Sequence, residues 1–231
     1  DYERIGLVKA CLGYDRNFII DTINNKTGTG GIMSTIYGLM LAASNDYVSP
    51  DRITEIADSL VSLQMADGGW NLSGAYSDAD VTAMALQALS AVRSYGYEDN
   101  IQKGVGRLAS LQKDDAGYAS YGVNNSESTA QVLMALCALN IDYRTDTRFI
   151  KNGHTVLDAL MGYRTSKGAF SHTKDGKPNA LATTQALGAL VCADNYEKHG
   201  TFIYRYGNIQ SRPVQKETQP DVKPSPEQPA K

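Results

Sequence analysis

The sequence LVSLQMADGGWNLSGAYSDADVTAMALQALSAV spans residues 60–92, and related segments follow it along the chain. The second copy is LASLQKDDAGYASYGVNNSESTAQVLMALCAL, residues 108–139, and the third is LMGYRTSKGAFSHTKDGKPNALATTQALGALV, residues 160–191. A weaker copy, TGTGGIMSTIYGLMLAAS, lies upstream at residues 27–44. A period of about fifty residues predicts a fold assembled from repeated supersecondary units.

Each unit contains two apolar patterns of different kinds. The first is amphipathic: Ile53, Ile56 and Leu60 recur at three- and four-residue steps, with charges on the other faces. The second is apolar nearly all round, as in VTAMALQALSAV and AQVLMALCAL, which predicts a helix buried on most sides. We therefore expect an all-α protein in which half-exposed outer helices cover buried inner helices, one hairpin per repeat.

The pattern predicts about nine helices and no strand, because no segment alternates with period two for long. The expected helices cover residues 3–12, 16–24, 32–44, 51–65, 78–94, 100–112, 127–139, 147–163 and 180–194. At their starts, Ser77 or Asp78 is predicted to cap one inner helix, and Ser126 with Glu127 the next.

Charge and composition narrow the possible functions. The 231 residues carry 22 basic and 25 acidic side chains, a net charge of −3, so we expect no nucleic-acid partner. No run of about 18 apolar residues is present, which predicts no membrane span. Cys11, Cys137 and Cys192 are interpreted as buried apolar residues. None has a second Cys or a His within about four residues, so no metal site is predicted.

The end of the chain differs from the rest. Residues 211–231, SRPVQKETQPDVKPSPEQPAK, hold five of the seven prolines, and no aromatic residue follows Tyr206. Such a segment buries too little apolar surface to fold. We therefore predict a folded domain over 1–208 and a Pro-rich disordered linker or tail over 209–231. The expected partners are further domains of the same polypeptide, and a proline-rich recognition peptide is an alternative interpretation.

The repeat resembles a known superfamily. Gln64, Gly68 and Trp70 form a Gln-x-x-x-Gly-x-Trp pattern similar to the QW repeat of squalene-hopene and other triterpene cyclases. SDADVTAMALQAL, Ser77 to Leu89, resembles the inner-helix segment of the wider superfamily. That superfamily includes terpenoid cyclases, protein prenyltransferase β subunits, complement-type thioester domains and cobalamin carriers, and the resemblance covers roughly residues 3–195.

The resemblance implies an α/α toroid, a barrel of about six helical hairpins. About nine predicted helices are fewer than twelve, so we expect the toroid to be incomplete or open. The motif recurs as Gln112, Ala116 and Tyr118, and the third copy keeps only Gly168 and Phe170. We expect each aromatic ring to plug the gap to the next hairpin, and each Gln amide to bond to backbone groups.

An acidic pair raises the question of catalysis. Asp78-Ala79-Asp80-Val81 resembles the DxDD motif of class II terpene cyclases, with Val81 in place of the last Asp. The resemblance implies that Asp80, with Asp78, would serve as a general acid. The alternative is that Ser77, Asp78 and Asp80 cap a helix and complement its dipole.

A ligand site at one mouth of the barrel is the other prediction, because the starts of the inner helices and their loops would meet there. Tyrosine suits such a site, since it offers apolar area and a hydroxyl group together. The predicted mouth residues are Tyr76, Asp78, Asp80, Tyr118, Tyr121, Asn124, Glu127, Phe170 and His172.

We favour a non-catalytic ligand-binding or scaffolding module of a secreted or cell-surface protein, similar to the repeat domains of bacterial surface proteins. The localisation rests on the tail and the resemblance, and the first residues lack the pattern of a signal peptide. The ligand would be a small molecule, a glycan or a protein. No cofactor is predicted, although a corrinoid is one candidate ligand, and a terpene-cyclase-like enzyme remains the alternative.

Overall fold

The computed structural model describes residues 1–200 and shows a mostly helical protein. Nine α-helices and one two-stranded antiparallel sheet lie within these residues. The helices are α1 (Tyr2–Leu12), α2 (Arg16–Asp21), α3 (Ile32–Ala43), α4 (Pro50–Ser62), α5 (Ala79–Ser90), α6 (Glu98–Leu111), α7 (Ser126–Ala138), α8 (Val156–Met161) and α9 (Ala180–His199). The strands are β1 (Tyr118–Ser120) and β2 (Val123–Asn125).

The helices form two sets according to what they contact. Along the chain, α1, α3, α5, α7 and α9 each pack against the next member of that series, and α2, α4, α6 and α8 each pack beside one of them. In α7, all but two of the 13 residues are buried. In α4, by contrast, the buried residues Ile53, Ile56, Ala57 and Leu60 form a single stripe. We call the two sets the inner and outer helices.

The turn that leaves each outer helix has the same geometry in three repeats. Gly68, Ala116 and Gly168 all have positive φ, at 88°, 63° and 87°. Their N–H groups donate to the carbonyls of Met65, Lys113 and Thr165, each at 2.9 Å. A Cβ on Gly68 would lie 2.7 Å from the Lys103 carbonyl oxygen, so the close approach of α6 requires glycine at this repeat.

In three repeats, a threonine hydroxyl of the inner helix accepts a hydrogen bond from the backbone N–H of the motif aromatic residue. The N–H groups of Trp70 and Tyr118 donate to Thr82 Oγ1 and Thr129 Oγ1 at 2.9 and 3.1 Å. In the third repeat Phe170 N–H donates to Thr183 Oγ1 at 3.0 Å. The third threonine of the repeat is therefore Thr183.

Two predicted features of the chain path are wrong. A short β-hairpin precedes α7, where no strand was expected; Tyr118 pairs with Asn125 and Ser120 with Val123. The helix expected over 147–163 is instead a 3₁₀ turn, Thr147–Phe149, followed after six residues by α8. Asn152-Gly153 separates the two, with positive φ at both residues and Lys151 bridged to His154.

Other boundaries shift by smaller amounts. α2 continues into a π-helical turn, Thr22–Lys26, and α5 stops at Ser90 before a 3₁₀ turn, Arg93–Tyr95. Asn125 caps α7, so Ser126 and Glu127 are its first two residues and the cap predicted for them is wrong. Cys137 and Cys192 are buried, but Cys11 is exposed.

Within residues 1–200, no helix is both long and apolar enough to cross a membrane. The predicted domain boundary at 208/209 and the Pro-rich tail lie outside the described residues.

Candidate functional site

Three loops precede the inner helices α5, α7 and α9. In each loop the first and last residues are joined to each other by backbone hydrogen bonds. The Asp78 N–H donates to the Trp70 carbonyl and the Asn179 N–H to the Phe170 carbonyl, each at 2.9 Å, and β1 pairs with β2 in the loop between them. We call residues 70–78, 118–125 and 170–179 the interlayer hairpins, and these hairpins together with the first turns of α5, α7 and α9 the mouth.

Asp78 is a helix cap that also ties two hairpins together. Its Oδ1 accepts hydrogen bonds from the N–H groups of Asp80 and Val81 at 2.9 and 3.3 Å. Its Oδ2 accepts from the Ser120 hydroxyl at 2.6 Å. Both oxygens therefore stabilise structure, and the first two interlayer hairpins are held side by side.

Asp80 and Glu127 occupy equivalent positions, because each is the second residue of an inner helix that follows an Asp or Asn cap. The helices α5 and α7 pack together, so the two carboxyl groups face the same end of the inner layer. The pKa of Asp80 is raised to about 6, chiefly by burial and to a smaller extent by the charges of Asp78 and Glu127. The Ser128 hydroxyl and His172 act in the opposite direction.

The buried Oδ1 of Asp80 has no well-formed hydrogen bond within residues 1–200, and neither has the buried Ser128 hydroxyl. The carboxyl group is thus held beside polar atoms that do not fully satisfy it. Loss of hydration without compensating hydrogen bonds disfavours the charged form, which explains the direction of the pKa shift.

Glu127 is buried and pairs with a histidine from the third interlayer hairpin. His172 Nδ1 lies 2.9 Å from Glu127 Oε2, and the Ser126 hydroxyl lies 3.0 Å from the same oxygen. The Ser126 hydroxyl also donates to the Ser171 carbonyl at 2.8 Å, and Ser126 N–H donates to the His172 carbonyl at 3.0 Å. These bonds anchor the third hairpin to α7 and fix the histidine against the carboxylate.

The rim of the mouth carries two tyrosines that are almost fully exposed. Tyr76 and Tyr121 each retain 81% of their accessible surface. Asn71 Nδ2 orders the first loop by donating to the carbonyls of Gly74 and Tyr76 at 2.9 and 2.8 Å. Tyr121 stands at the tip of the second hairpin, and Asn124 on β2 is exposed as well.

Two predicted mouth residues belong to the core instead. Tyr118 and Phe170 are buried, at 0% and 4% exposure, so their rings do not line the mouth. They occupy the place of Trp70, whose Nε1 donates to the Leu60 carbonyl at 2.9 Å. The Trp70 ring also lies against Gly104 of α6, where an added Cβ would approach it to 3.0 Å.

The motif glutamines lie away from the mouth and bond to the backbone. Gln64 Nε2 donates to the carbonyls of Gly68 and Asn100 at 2.7 and 2.9 Å. Gln112 Nε2 donates to those of Ala116 and Phe149 at 3.1 and 2.9 Å. Each amide therefore links the turn of its own repeat to a neighbouring segment.

Ser120 and Ser128 contribute to the mouth although the sequence did not point to them, and Ser126 was expected there only as a helix cap. Ser126 and Ser128 lie in the run NNSEST, residues 124–129, where polar residues crowd the start of an apolar helix. This run of polar residues is the sequence feature that indicates a hydrogen-bonded site here, since polar side chains at a buried helix start require partners.

Among residues 1–200, no group of three or more His, Cys, Asp or Glu side chains is arranged to hold a metal ion. The chain matches no model of a known protein family, and no curated protein matches it significantly.

Proposed function

We propose that this chain is a non-catalytic module that binds a ligand at the mouth. The observation that carries the proposal is the convergence of Asp80, Glu127 and His172 from two inner helices and a third hairpin. Polar groups that converge from separate elements, beside exposed tyrosines, are typical of binding sites.

The proposed architecture is an open α/α toroid. It is supported by the order in which α1, α3, α5, α7 and α9 pack, and by the outer helices beside them. We further propose that the module belongs to a secreted or cell-surface protein of bacterial type and is joined to other domains through the Pro-rich tail. The composition of the tail and the resemblance of the repeat support this context.

Binding is favoured over catalysis by the roles that the acidic residues already have. In the motif that Asp78–Val81 resembles, a last carboxylate supports the acid, whereas Val81 here is apolar. Asp78 is committed to capping α5 and to the Ser120 hydroxyl. A general acid at Asp80 would therefore act without the supporting carboxylate that the cyclase motif contains.

A thermal-shift screen tests the proposal. The panel holds corrinoids, isoprenoid diphosphates, squalene-like lipids, cell-wall glycans, basic and acidic peptides, and divalent metals. A ligand present at about 100 times its Kd stabilises the folded state by about 2.7 kcal/mol, which is readily measured.

The variants Asp80→Asn and Glu127→Gln should weaken any true mouth ligand by about tenfold or more, because they remove charge while keeping shape. Asp194→Asn is the matched control, since Asp194 is an exposed α9 carboxylate paired with Lys198. A panel without any hit, or hits that respond equally to all three variants, would contradict the proposal and favour an architectural spacer.

One observation favours a second candidate, a terpene-cyclase-like enzyme. With a pKa raised to about 6 by burial, Asp80 is partly protonated near neutral pH, as a general acid must be. The test is incubation with squalene-like and diphosphate isoprenoids, followed by product analysis. Cyclised products that disappear with Asp80→Asn would establish catalysis, and a corrinoid hit without turnover would establish binding.

A further inference from the structure

Large apolar side chains are exposed on two neighbouring interlayer hairpins. Leu72 and Tyr76 on the first hairpin are 56% and 81% exposed, and Tyr121 and Val123 on the second are 81% and 45% exposed. The bond from Ser120 to Asp78 holds the two hairpins together, so the four side chains belong to one region. We call these four residues the loop-tip patch.

The conformation of Tyr121 is costly for the fold. Tyr121 and Gly122 are the two central residues of the β1–β2 turn and have φ of 48° and 80°. Turns with positive φ at both positions favour Asn-Gly or Asp-Gly, and a bulky residue in this region is strained. The exposed ring gains little burial energy in return, so the fold alone does not account for tyrosine here.

The charged residues of the first two interlayer hairpins and of the first turns of α5 and α7 are Asp78, Asp80 and Glu127, all acidic. Asp67 pairs with Arg107 at 3.2 Å, and Asp115 pairs with Lys174 at 2.7 Å. Within residues 1–200, Asp78, Asp80 and Glu127 form no ion pair with a lysine or arginine; the basic side chains of the mouth, His172, Lys174 and Lys177, all lie on the third interlayer hairpin. Apolar side chains beside carboxyl groups that lack a lysine or arginine partner match a binding partner that carries both apolar and positively charged side chains.

We propose that the loop-tip patch docks a protein segment in which lysine or arginine side chains alternate with apolar ones. The apolar side chains pack on Tyr76 and Tyr121, and the cations reach the carboxylates behind them. Tyrosine suits such contacts because it presents a large rigid surface and also attracts cations to its ring face. The inference rests on the proposed function, since it names the class of ligand that the mouth takes.

The experiment is a selection from a phage-displayed library of random peptides. The folded chain is one bait, and the double variant Tyr76→Ser with Tyr121→Asn is the other. Both replaced side chains are exposed, and Asn-Gly suits the turn, so the unfolding midpoint of the variant should stay unchanged or rise. A second control, Leu187→Ser with Val191→Ser, removes exposed apolar groups about two and three turns along α9.

We expect peptides rich in Lys or Arg together with Leu, Phe or Trp to be enriched on the unmodified chain and not on the tyrosine variant. A synthetic peptide from the enriched set should bind about tenfold more weakly to the tyrosine variant and normally to the α9 control. Its affinity should also fall with Asp80→Asn and Glu127→Gln, and with rising salt.

Equal enrichment on both baits, no enrichment, or enrichment of acidic peptides would overturn the inference. A peptide affinity that is unchanged in both Asp80→Asn and Glu127→Gln would also overturn the inference. A glycan whose binding is lost in the tyrosine variant would assign the patch to sugars instead. A small ligand that depends on Asp80 and Glu127 but not on the tyrosines would leave the proposed function standing and remove this inference alone.

Discussion

At the scale of single residues, Asp80 is the side chain whose ionisation bears most on stability. Burial raises its pKa to about 6 in the folded protein, against an ordinary value of 3.8. Between these two values the folded state binds more protons than the unfolded state, so the free energy of unfolding falls as the pH rises through this window. The folded state is therefore more stable toward the acid end of this window. At neutral pH the ionised Asp80 carboxylate lowers the free energy of unfolding.

Asp80→Asn should therefore stabilise the protein near neutral pH, by about 1 to 3 kcal/mol, because it removes the buried charge and keeps the shape. Near pH 4 the gain should nearly vanish, since the carboxyl group is then mostly protonated in the folded state. Urea unfolding of both proteins at about pH 4 and about pH 8 measures the difference. Asp194→Asn controls for loss of an exposed carboxylate. If Asp80→Asn lowers stability at both pH values, Asp80 acts as a capping residue, as the alternative interpretation of the sequence proposes.

At the scale of elements, apolar periodicity was sufficient to predict most of the helices. The stripe of α4 and the all-round burial of α5 and α7 both follow from patterns that a helix repeats over several turns. The β-hairpin could not be found this way, because strands of three residues are too short to alternate. The break before α8 does carry a signal in the sequence, Asn152-Gly153, because this dipeptide favours a turn, and helical periodicity alone does not reveal it.

The candidate site was predictable in part. The sequence predicted Asp78 as a helix cap, and it predicted polar residues at the starts of the inner helices. It placed Tyr118 and Phe170 at the mouth, although their positions in the repeat equal that of Trp70 and predict burial. The pairing of His172 with Glu127 joins residues 45 positions apart, and no local pattern encodes such a contact.

The hydrogen bond from the motif aromatic residue to the threonine hydroxyl can be tested for its contribution to the stability of the repeat. Thr82→Val should lower the free energy of unfolding by about 2 kcal/mol, because the buried Trp70 N–H loses its acceptor at 2.9 Å while the volume is kept. Thr184→Val is the matched control. Thr184 is exposed and bonds only within α9, so we expect a change of less than about 0.5 kcal/mol. Denaturant unfolding monitored through Trp70 fluorescence measures both, and equal effects would mean that the shared hydroxyl does not hold the repeat together.

At the scale of the whole molecule, burial is distributed unevenly along the series of inner helices. α7 buries all but two of its 13 residues, whereas α1 buries Glu3, Gly6 and Leu7 of its 11. In a repeat array each unit is stabilised chiefly by its neighbours, so a unit that packs on fewer of them opens at lower free energy. The mouth lies over α5 and α7, which bury nine of 12 and 11 of 13 residues, and over the start of α9, which buries only five of its 20.

Native-state hydrogen exchange should resolve this gradient. Amides of α7 should exchange only through global unfolding, while those of α1 should exchange through local opening at a free energy lower by several kcal/mol. Gly6→Ala sharpens the test, because a Cβ at this position would approach Leu41 Cδ2 to 2.5 Å, so this buried side chain or α1 itself must shift. Protection should then fall in α1 and remain unchanged in α7. Uniform loss of protection across all the helices would show that the repeats unfold as one cooperative unit and that the uneven burial has no counterpart in local stability.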